Sequence, residues 1–339
     1  MTTHDFGSGS GPLVVFPDAD EDSLKLLEDA LTLTGIGNLR VRVHVGVPAS
    51  ETEWLHRVHD ADALLLDWRL PDAVLERAPT LKLVSFLGTG AGDQVNLDLA
   101  DARNITVCNA RGYGDVAVAE HTLALLLATV RQVARLDREV RSGSWPVSTG
   151  WQLRGRRLGV VGLGGIGRSV AELGRAVGMR VQGWTRNVAA GETERYGVPL
   201  VSLEDLMQTS DAVTLHLALT PDTDGLIDRR LLGLMGPNAV LINTARGALV
   251  DETALTDALH AGRIRGAGLD VFTHEPLPDN DALRSTDRAV LTPHVGFSTE
   301  EAGRELIVQG LENLVGFFRG APRRVVAPNR VTSRSGEAS

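Results

Sequence analysis

Gly162-Leu163-Gly164-Gly165-Ile166-Gly167 follows the apolar run Leu158–Val161 and leads into a helical pattern, RSVAELGRAVG. A strand that enters a three-glycine turn and leaves it as a helix is compatible with few folds. Gly162 suits the tight turn, Gly164 lets a ligand approach the backbone, and Gly167 lets the helix pack closely on the strand. The open N–H groups at the start of such a helix favour an anion. Taken without their flanks, these glycines would make only a tight turn. Strand, loop and helix in this order predict a βαβ unit that holds a dinucleotide pyrophosphate.

The rest of the chain fits around that unit. Apolar runs start at Leu13, Val41, Ala63, Leu81 and Ile105, and a second set starts at Leu158, Arg180, Ala212, Ala239, Ala267 and Ala289, with helical patterns between them. Runs of this kind, apolar on both faces, suit parallel strands covered by helices on each side. The fold class is therefore α/β, with two doubly wound parallel-sheet domains. One long helical pattern, VAEHTLALLLATVRQVARLDREV from Val116, lies between the sets, and another, TEEAGRELIVQGLENLVGFF, follows the last strand. Periodicity leaves open which unit the last helix packs on.

At 339 residues and 43% hydrophobic content the chain has enough material for two cores. A formal charge of −9 argues against nucleic acid or an anionic membrane as a partner. Cys108 is the single cysteine, so no internal disulfide forms and a reducing, cytoplasmic location is expected. The nearest approach to a membrane span is LALLLATV, which is far too short. Residues 1–10 read as a flexible Gly/Ser lead-in rather than a secretory signal, and residues 331–339 as a frayed tail.

The strand after the glycine turn ends Gly183-Trp184-Thr185-Arg186-Asn187, without an acid. A site for NAD usually places a carboxylate there to accept the ribose hydroxyls. A carboxylate about 4 Å from a 2′-phosphate would repel it by roughly 4 kcal/mol per charge pair at an effective dielectric near 20. Thr185 removes that repulsion, and Arg186 offers a planar cation. NADP(H) is thus preferred, with NAD(H) possible; the plainer role for Arg186 is that of a solvated surface residue.

Three further segments each bring one polar residue to the C-terminal end of a predicted strand: NTARG with Arg246, DVFTHEP with Glu275 and TPH with His294. Open α/β sheets place their ligands at such ends. A guanidinium can clamp a carboxylate and polarise an adjacent carbonyl. An imidazolium can deliver a proton, and a carboxylate on its far ring nitrogen orients it and favours its charge. In isolation Arg246 could be a turn residue, His294 a strand cap and Glu275 a solvated loop charge. Together, behind a dinucleotide loop, they predict hydride transfer at a carbonyl beside a carboxylate.

Across residues 12 to 328 the chain resembles the D-isomer-specific 2-hydroxyacid dehydrogenase family. The matching segments are SFLGTGAGDQVNLDLA, VAEHTLALLLA, GVVGLGGIGR, LINTARGALVDETAL, GAGLDVFTHEPLP and LTPHVGFSTEEA. The resemblance implies a flavodoxin-like substrate domain (residues 11–112 and 299–330) split around an inserted Rossmann domain (residues 113–298), so that the last helix returns to the first unit. Arg246 would bind the substrate carboxylate and carbonyl, His294 would be the acid/base, and Glu275 would pair with it. Asp270 would sit near the nicotinamide. Gly165, Ile166, Thr185, Thr244 and Ala245 would line the cofactor, and N–H groups at Gly90 and Ala91 would complete the carboxylate clamp. Many members are homodimers, which directs attention to Trp145 and Trp151 in SGSWPVSTGWQL; one of them is a candidate to reach a partner's site.

Some positions depart from particular relatives. Phosphoglycerate dehydrogenases carry Arg where this chain has Asp67, although Arg69 remains able to meet a distal anion. Formate dehydrogenases of the superfamily carry Gln in place of Glu275, and Ala218 stands where relatives have Pro. Thr185 and Arg186 resemble the NADPH-preferring glyoxylate and hydroxypyruvate reductases. The expected function is reduction of a small 2-keto acid to the (R)-2-hydroxy acid, without a metal. The alternatives are an NAD(P)-sensing interaction protein like the corepressor of this fold, or phosphite-type oxidation on the same trio. The substrate side chain depends on Asp67, Trp68, Arg69, Leu87 and Phe297, whose facing the sequence does not give.

Overall fold

The computed structural model describes residues 2–7, 10–34, 37–186 and 197–326. Met1, residues 8 and 9, Asn187 and residues 327–339, with the tail read from sequence, lie outside them. The chain forms two compact units, one of Met1–Tyr113 with Thr299–Ser339 and one of Gly114–Ser298.

In the first unit the strands are β1 (Thr3–Phe6), β2 (Leu13–Ala19), β3 (Arg40–Val45), β4 (Ala63–Leu66), β5 (Leu83–Phe86) and β6 (Thr106–Cys108). They form one sheet in the order β1-β3-β2-β4-β5-β6. β2 to β6 pair in parallel and give the flavodoxin-like order. β2, β4 and β5 are buried along their whole length, as expected of strands covered on both faces. The helix Glu300–Phe318 begins at Thr299, whose side chain accepts from the N–H of Ala302. Its Leu306, Ile307, Leu311 and Leu314 share a core with Val14, Phe16, Leu27 and Leu83, so this helix belongs to the first unit. A buried polar network fixes its register. Asn313 Nδ2 donates to Asn109 O at 3.0 Å and to Ser85 Oγ at 3.3 Å, and Gln309 exchanges hydrogen bonds with the backbone of Arg111.

The second unit contains β7 (Arg157–Val161), β8 (Arg180–Trp184), β9 (Ala212–Leu215), β10 (Val240–Asn243), β11 (Gly266–Leu269) and β12 (Ala289–Leu291). The sheet order is β12-β11-β10-β9-β7-β8, and every pair is parallel. Beyond β8, Leu200 makes a single parallel bridge to Gly183. With that bridge counted as a vestigial third strand, this is the dinucleotide-binding order.

Two local expectations need correction. Within the segment read as a flexible lead-in, Thr3–Phe6 pairs antiparallel with β3, residue 3 opposite His44. Its side chains alternate between exposed and half-buried, which suits an edge strand; Thr3 Oγ1 lies 3.2 Å from His44 Nδ1, and Asp5 lies 3.5 Å from Arg42 Nε. The long helical pattern from Val116 is two helices, Asp115–Arg131 and Val133–Arg141, bent by 61°. Gln132 takes the left-handed conformation at the bend (φ 55°), and its side-chain oxygen accepts from Arg135 and from Ser148. Among the described residues no single helix is long and apolar enough to cross a membrane.

Candidate active site

The glycine turn leaves β7 as the sequence predicts. Gly162 has φ +96° and its N–H donates to Trp184 O, so the turn is tied to the end of β8. A Cβ at Gly167 would lie 1.9 Å from Gly162 O, which requires glycine. At Gly164 a Cβ would meet nothing within 4 Å, so the approach to the backbone is open there. The helix Gly165–Ala176 follows, and the N–H groups of Gly165, Ile166 and Gly167 have no acceptor among the described residues. Their open donors, the open face at Gly164 and the helix dipole fit a pyrophosphate. One neighbour was not foreseen. The Asp115 carboxylate packs against Gly165, where a Cβ would lie 1.7 Å from Oδ2, and burial raises its pKa against the opposing charge of Arg168.

Thr185 is half-buried at the end of β8 and Arg186 follows it. Arg186 NH1 donates to Thr220 Oγ1 at 3.2 Å and lies 3.8 Å from the exposed Asp222 carboxylate. An ion pair this long and this wet is worth well under about 1 kcal/mol, so a phosphate would compete for Arg186 on favourable terms. Ala218 is held in its loop without a proline at that position. The fully buried Thr223 donates its hydroxyl to Ala218 O at 2.8 Å and accepts from the N–H of Thr220.

Two other segments interlock at backbone level. β10 ends at Asn243, whose side chain accepts from the N–H of Ala245 and donates to Arg246 O, fixing the turn that carries Arg246. A Cβ on Gly247 would lie 2.0 Å from the carbonyl carbon of Phe272, so this turn rests directly on the DVFTHEP loop. Thr244 Oγ1 is 2.9 Å from Thr122 Oγ1. Arg246 NH1 donates to Ala245 O at 2.7 Å.

Glu275 and His294 meet. Oε2 of Glu275 accepts from His294 Nδ1 at 2.7 Å, and Oε1 accepts from the N–H of Phe272 at 2.9 Å. Burial works to raise the Glu275 pKa, but the His294 and Phe272 hydrogen bonds and the positive charges of His294 and Arg246 outweigh it and hold it below the ordinary value. Nε2, the other ring nitrogen, has no hydrogen-bond partner among the described residues. Phe297 packs edge-on to the imidazole, with ring centroids 6.4 Å apart.

His294 has φ +56°, the left-handed region, which costs a non-glycine residue on the order of 1–3 kcal/mol. Asp270 supplies the restraint. Its carbonyl accepts from the N–H of His294, and its carboxylate accepts from the N–H groups of Val295 and Gly296. Thr292 Oγ1 donates to the same carboxylate at 2.5 Å, and His121 Nε2 lies 3.0 Å from Thr292 Oγ1 and 3.4 Å from Asp270 Oδ1. Burial raises the Asp270 pKa, yet these four donors more than offset it and keep the carboxyl below its ordinary value. Asp270 therefore clamps the His294 turn. His121 and Thr292 were not singled out from sequence, because they act across 171 positions and no local pattern marks them.

The remaining residues lie as follows. Gly90 and Ala91 are in the first unit, at the start of the helical turn Ala91–Gln94, and their N–H groups have no acceptor among the described residues. Asp67, just past β4, is half-buried, Trp68 and Arg69 are exposed, and Leu87 is in the core. Trp145 is 86% exposed, whereas Trp151 packs on its own unit beneath the Arg156 guanidinium, 5.0 Å from the ring centroid. Cys108 is buried, and burial pushes its thiol up to about 11.

Residues 123–296 match the family model "D-isomer specific 2-hydroxyacid dehydrogenase, NAD binding domain". A glyoxylate reductase of Aeropyrum pernix is 40% identical over 288 residues, covering 82% of this chain and 84% of that protein. A D-3-phosphoglycerate dehydrogenase of Mycobacterium leprae is 44% identical over 255 residues, 74% of this chain and 48% of that protein. This chain thus spans about half the length of the phosphoglycerate dehydrogenases it matches. The crystal structure of a Thermus thermophilus protein superposes with a TM-score of 0.81 at 36% identity, covering 93% of this chain and 99% of that one. The chain belongs to the D-isomer specific 2-hydroxyacid dehydrogenase family.

Proposed function

We propose that the protein reduces a small 2-keto acid to the (R)-2-hydroxy acid, with NADPH preferred over NADH. The observation that carries this reading is the 2.7 Å Glu275–His294 pair, in the same unit as Arg246 and the glycine turn. When bound, the reduced dinucleotide supplies the hydride. Gly164, Gly165, Ile166 and Gly167 would hold its pyrophosphate, and Thr185 and Arg186 its ribose phosphate. Thr244 and Ala245 would line the rest of the cofactor.

Arg246 would clamp the substrate carboxylate and polarise the neighbouring carbonyl through its forked donors. Gly90 and Ala91 enter the proposal as backbone donors to that carboxylate. His294 would pass its Nε2 proton to the carbonyl oxygen, and Glu275 would hold the ring and balance its charge. In oxidation the same nitrogen would take the proton back. Asp270 serves this chemistry by fixing the His294 turn. The exposed Val133, Val140, Trp145 and Val147 support assembly as a homodimer.

A panel of 2-keto acids, glyoxylate and hydroxypyruvate included, read by NADPH and NADH oxidation, tests this. The expected result is turnover of at least one acid with higher kcat/KM for NADPH. In Thr185→Asp/Arg186→Ile the preference should reverse. No turnover across the panel would refute the reaction, and an NADH-preferring wild type would refute the role of Arg186.

A further inference from the structure

The helix bend at Gln132 opens a cavity at the other end of the second unit's sheet. Its volume is about 270 Å³, and Thr129, Gln132, Arg135, Arg265, Asp287, Arg288, Ala289 and Val290 line it. Arg265 and Arg288 immediately precede β11 and β12, whereas Asp270 and His294 follow those strands. The cavity is therefore separated from the catalytic trio by the length of the strands.

Its charge is unusual for a chain of net −9. Three guanidinium groups line it, and none has a carboxylate partner among the described residues. Arg135 donates only to Gln132 Oε1, and Arg265 NH2 only to Thr149 O. Arg288 makes no side-chain hydrogen bond or ion pair among the described residues. The one acid of the lining, Asp287, is taken by Arg138 at 2.7 Å. Like charges facing one space repel, and guanidinium forks match oxyanions.

We propose that this cavity binds a small multivalent oxyanion, a phosphorylated or polycarboxylate metabolite, at a site separate from the dinucleotide and the substrate. The ligand neutralises Arg135, Arg265 and Arg288 together, its oxygens accepting from the terminal N–H groups of their guanidinium forks. Its position against Gln132 lets it brace the bend between the two helices.

Calorimetric titration of the assembled protein with pyrophosphate, and separately with tricarballylate, tests the site. Saturating NADPH is present throughout so that the glycine turn is occupied. The expected result is one saturable site per chain for at least one probe. It should weaken at least tenfold in Arg265→Gln/Arg288→Gln, with KM for NADPH unchanged. A charge-matched control, Arg141→Gln/Arg229→Gln, alters two exposed arginines that pair with Asp137 and Asp257, and it should bind as wild type. The stronger probe then names the ligand class. If neither probe binds saturably, or the double variant and the control weaken alike, the proposal is overturned. Circular dichroism and the melting temperature of the double variant show whether any loss is local.

Discussion

Asp18 and Asp67 in the first unit, and Asp270 and Glu275 in the second, sit at or beyond the C-terminal ends of parallel strands, yet their ionisation is shifted in opposite directions. Burial pushes Asp18 up to about 7 despite backbone hydrogen bonds, with the Asp67 charge adding to the rise. Asp67 is pushed up to about 6 by burial and then by Asp20. Asp270 and Glu275 also pay for burial but are held below the ordinary range by their donors. Partners decide the sign. Asp18 has backbone N–H groups, those of Asp67 and Trp68 among them, and faces another acid, whereas Asp270 has a hydroxyl, an imidazole and two N–H groups.

Asp270 and Glu275 are thus arranged to stay charged at neutral pH, and the largest tests strike the group they serve. His294→Ala should lower kcat/KM for reduction by about 10²–10⁴, the usual range for a lost general acid, and leave NADPH affinity intact. Near wild-type activity would remove the Glu275–His294 pair from the mechanism. Arg246→Ala should lose roughly 3 kcal/mol or more of transition-state stabilisation, and Arg246→Lys should recover only part. If both variants turned over like wild type, the carboxylate would be held elsewhere.

Glu275→Gln sharpens the comparison by removing charge while keeping shape. The His294 hydrogen bond and charge help hold the Glu275 carboxyl below its ordinary value, so Gln at this position loses the charge that balances the imidazolium. Reduction should therefore slow in Glu275→Gln, by less than in His294→Ala. Wild-type kcat/KM in Glu275→Gln would show that the pair carries no coupling.

The first unit offers a test that reads stability rather than activity. Asp18 ionises at its ordinary 3.8 when unfolded and near 7 when folded. Between those values the folded state binds the extra proton, so stability falls as pH rises through the window. At 1.36 kcal/mol per unit the full penalty above pH 7 is at most about 4 kcal/mol. Asp270 and Glu275 respond the other way: their contribution is present above the ordinary carboxylate range and is lost as pH falls through their lowered folded values. Asp18→Asn should raise the melting temperature by a few degrees at pH 8 and by less at pH 5. An equal gain at both would mean that charge is not what Asp18 costs.

Most of this architecture was legible because it is local. The apolar runs that became β2 to β12 carry their burial in their composition, and the glycine turn carries its geometry in its spacing. β1 escaped because THDF has no apolar run and is held by backbone pairing to a distant strand. The bend at Gln132 has neither glycine nor proline to mark it; Arg135 and Ser148 hold it through the Gln132 side chain. The meeting of Glu275 and His294 was readable from residue chemistry and from the resemblance. What holds the His294 turn was not: His121 and Thr292 reach Asp270 only in the folded unit, and Asp115 reaches Gly165 the same way.

The contact at Gly247 has a consequence for how this site can change. The turn that carries Arg246 and the loop that carries Glu275 touch through main-chain atoms, with no side chain between them. Their spacing is therefore set by peptide units, which neither shrink nor swell when nearby residues are exchanged. Random substitution around this floor will tend to abolish the guanidinium–carboxylate geometry or leave it untouched, with few intermediate settings. Variation that leaves this geometry intact has to fall outside these two loops, NTARG and DVFTHEP.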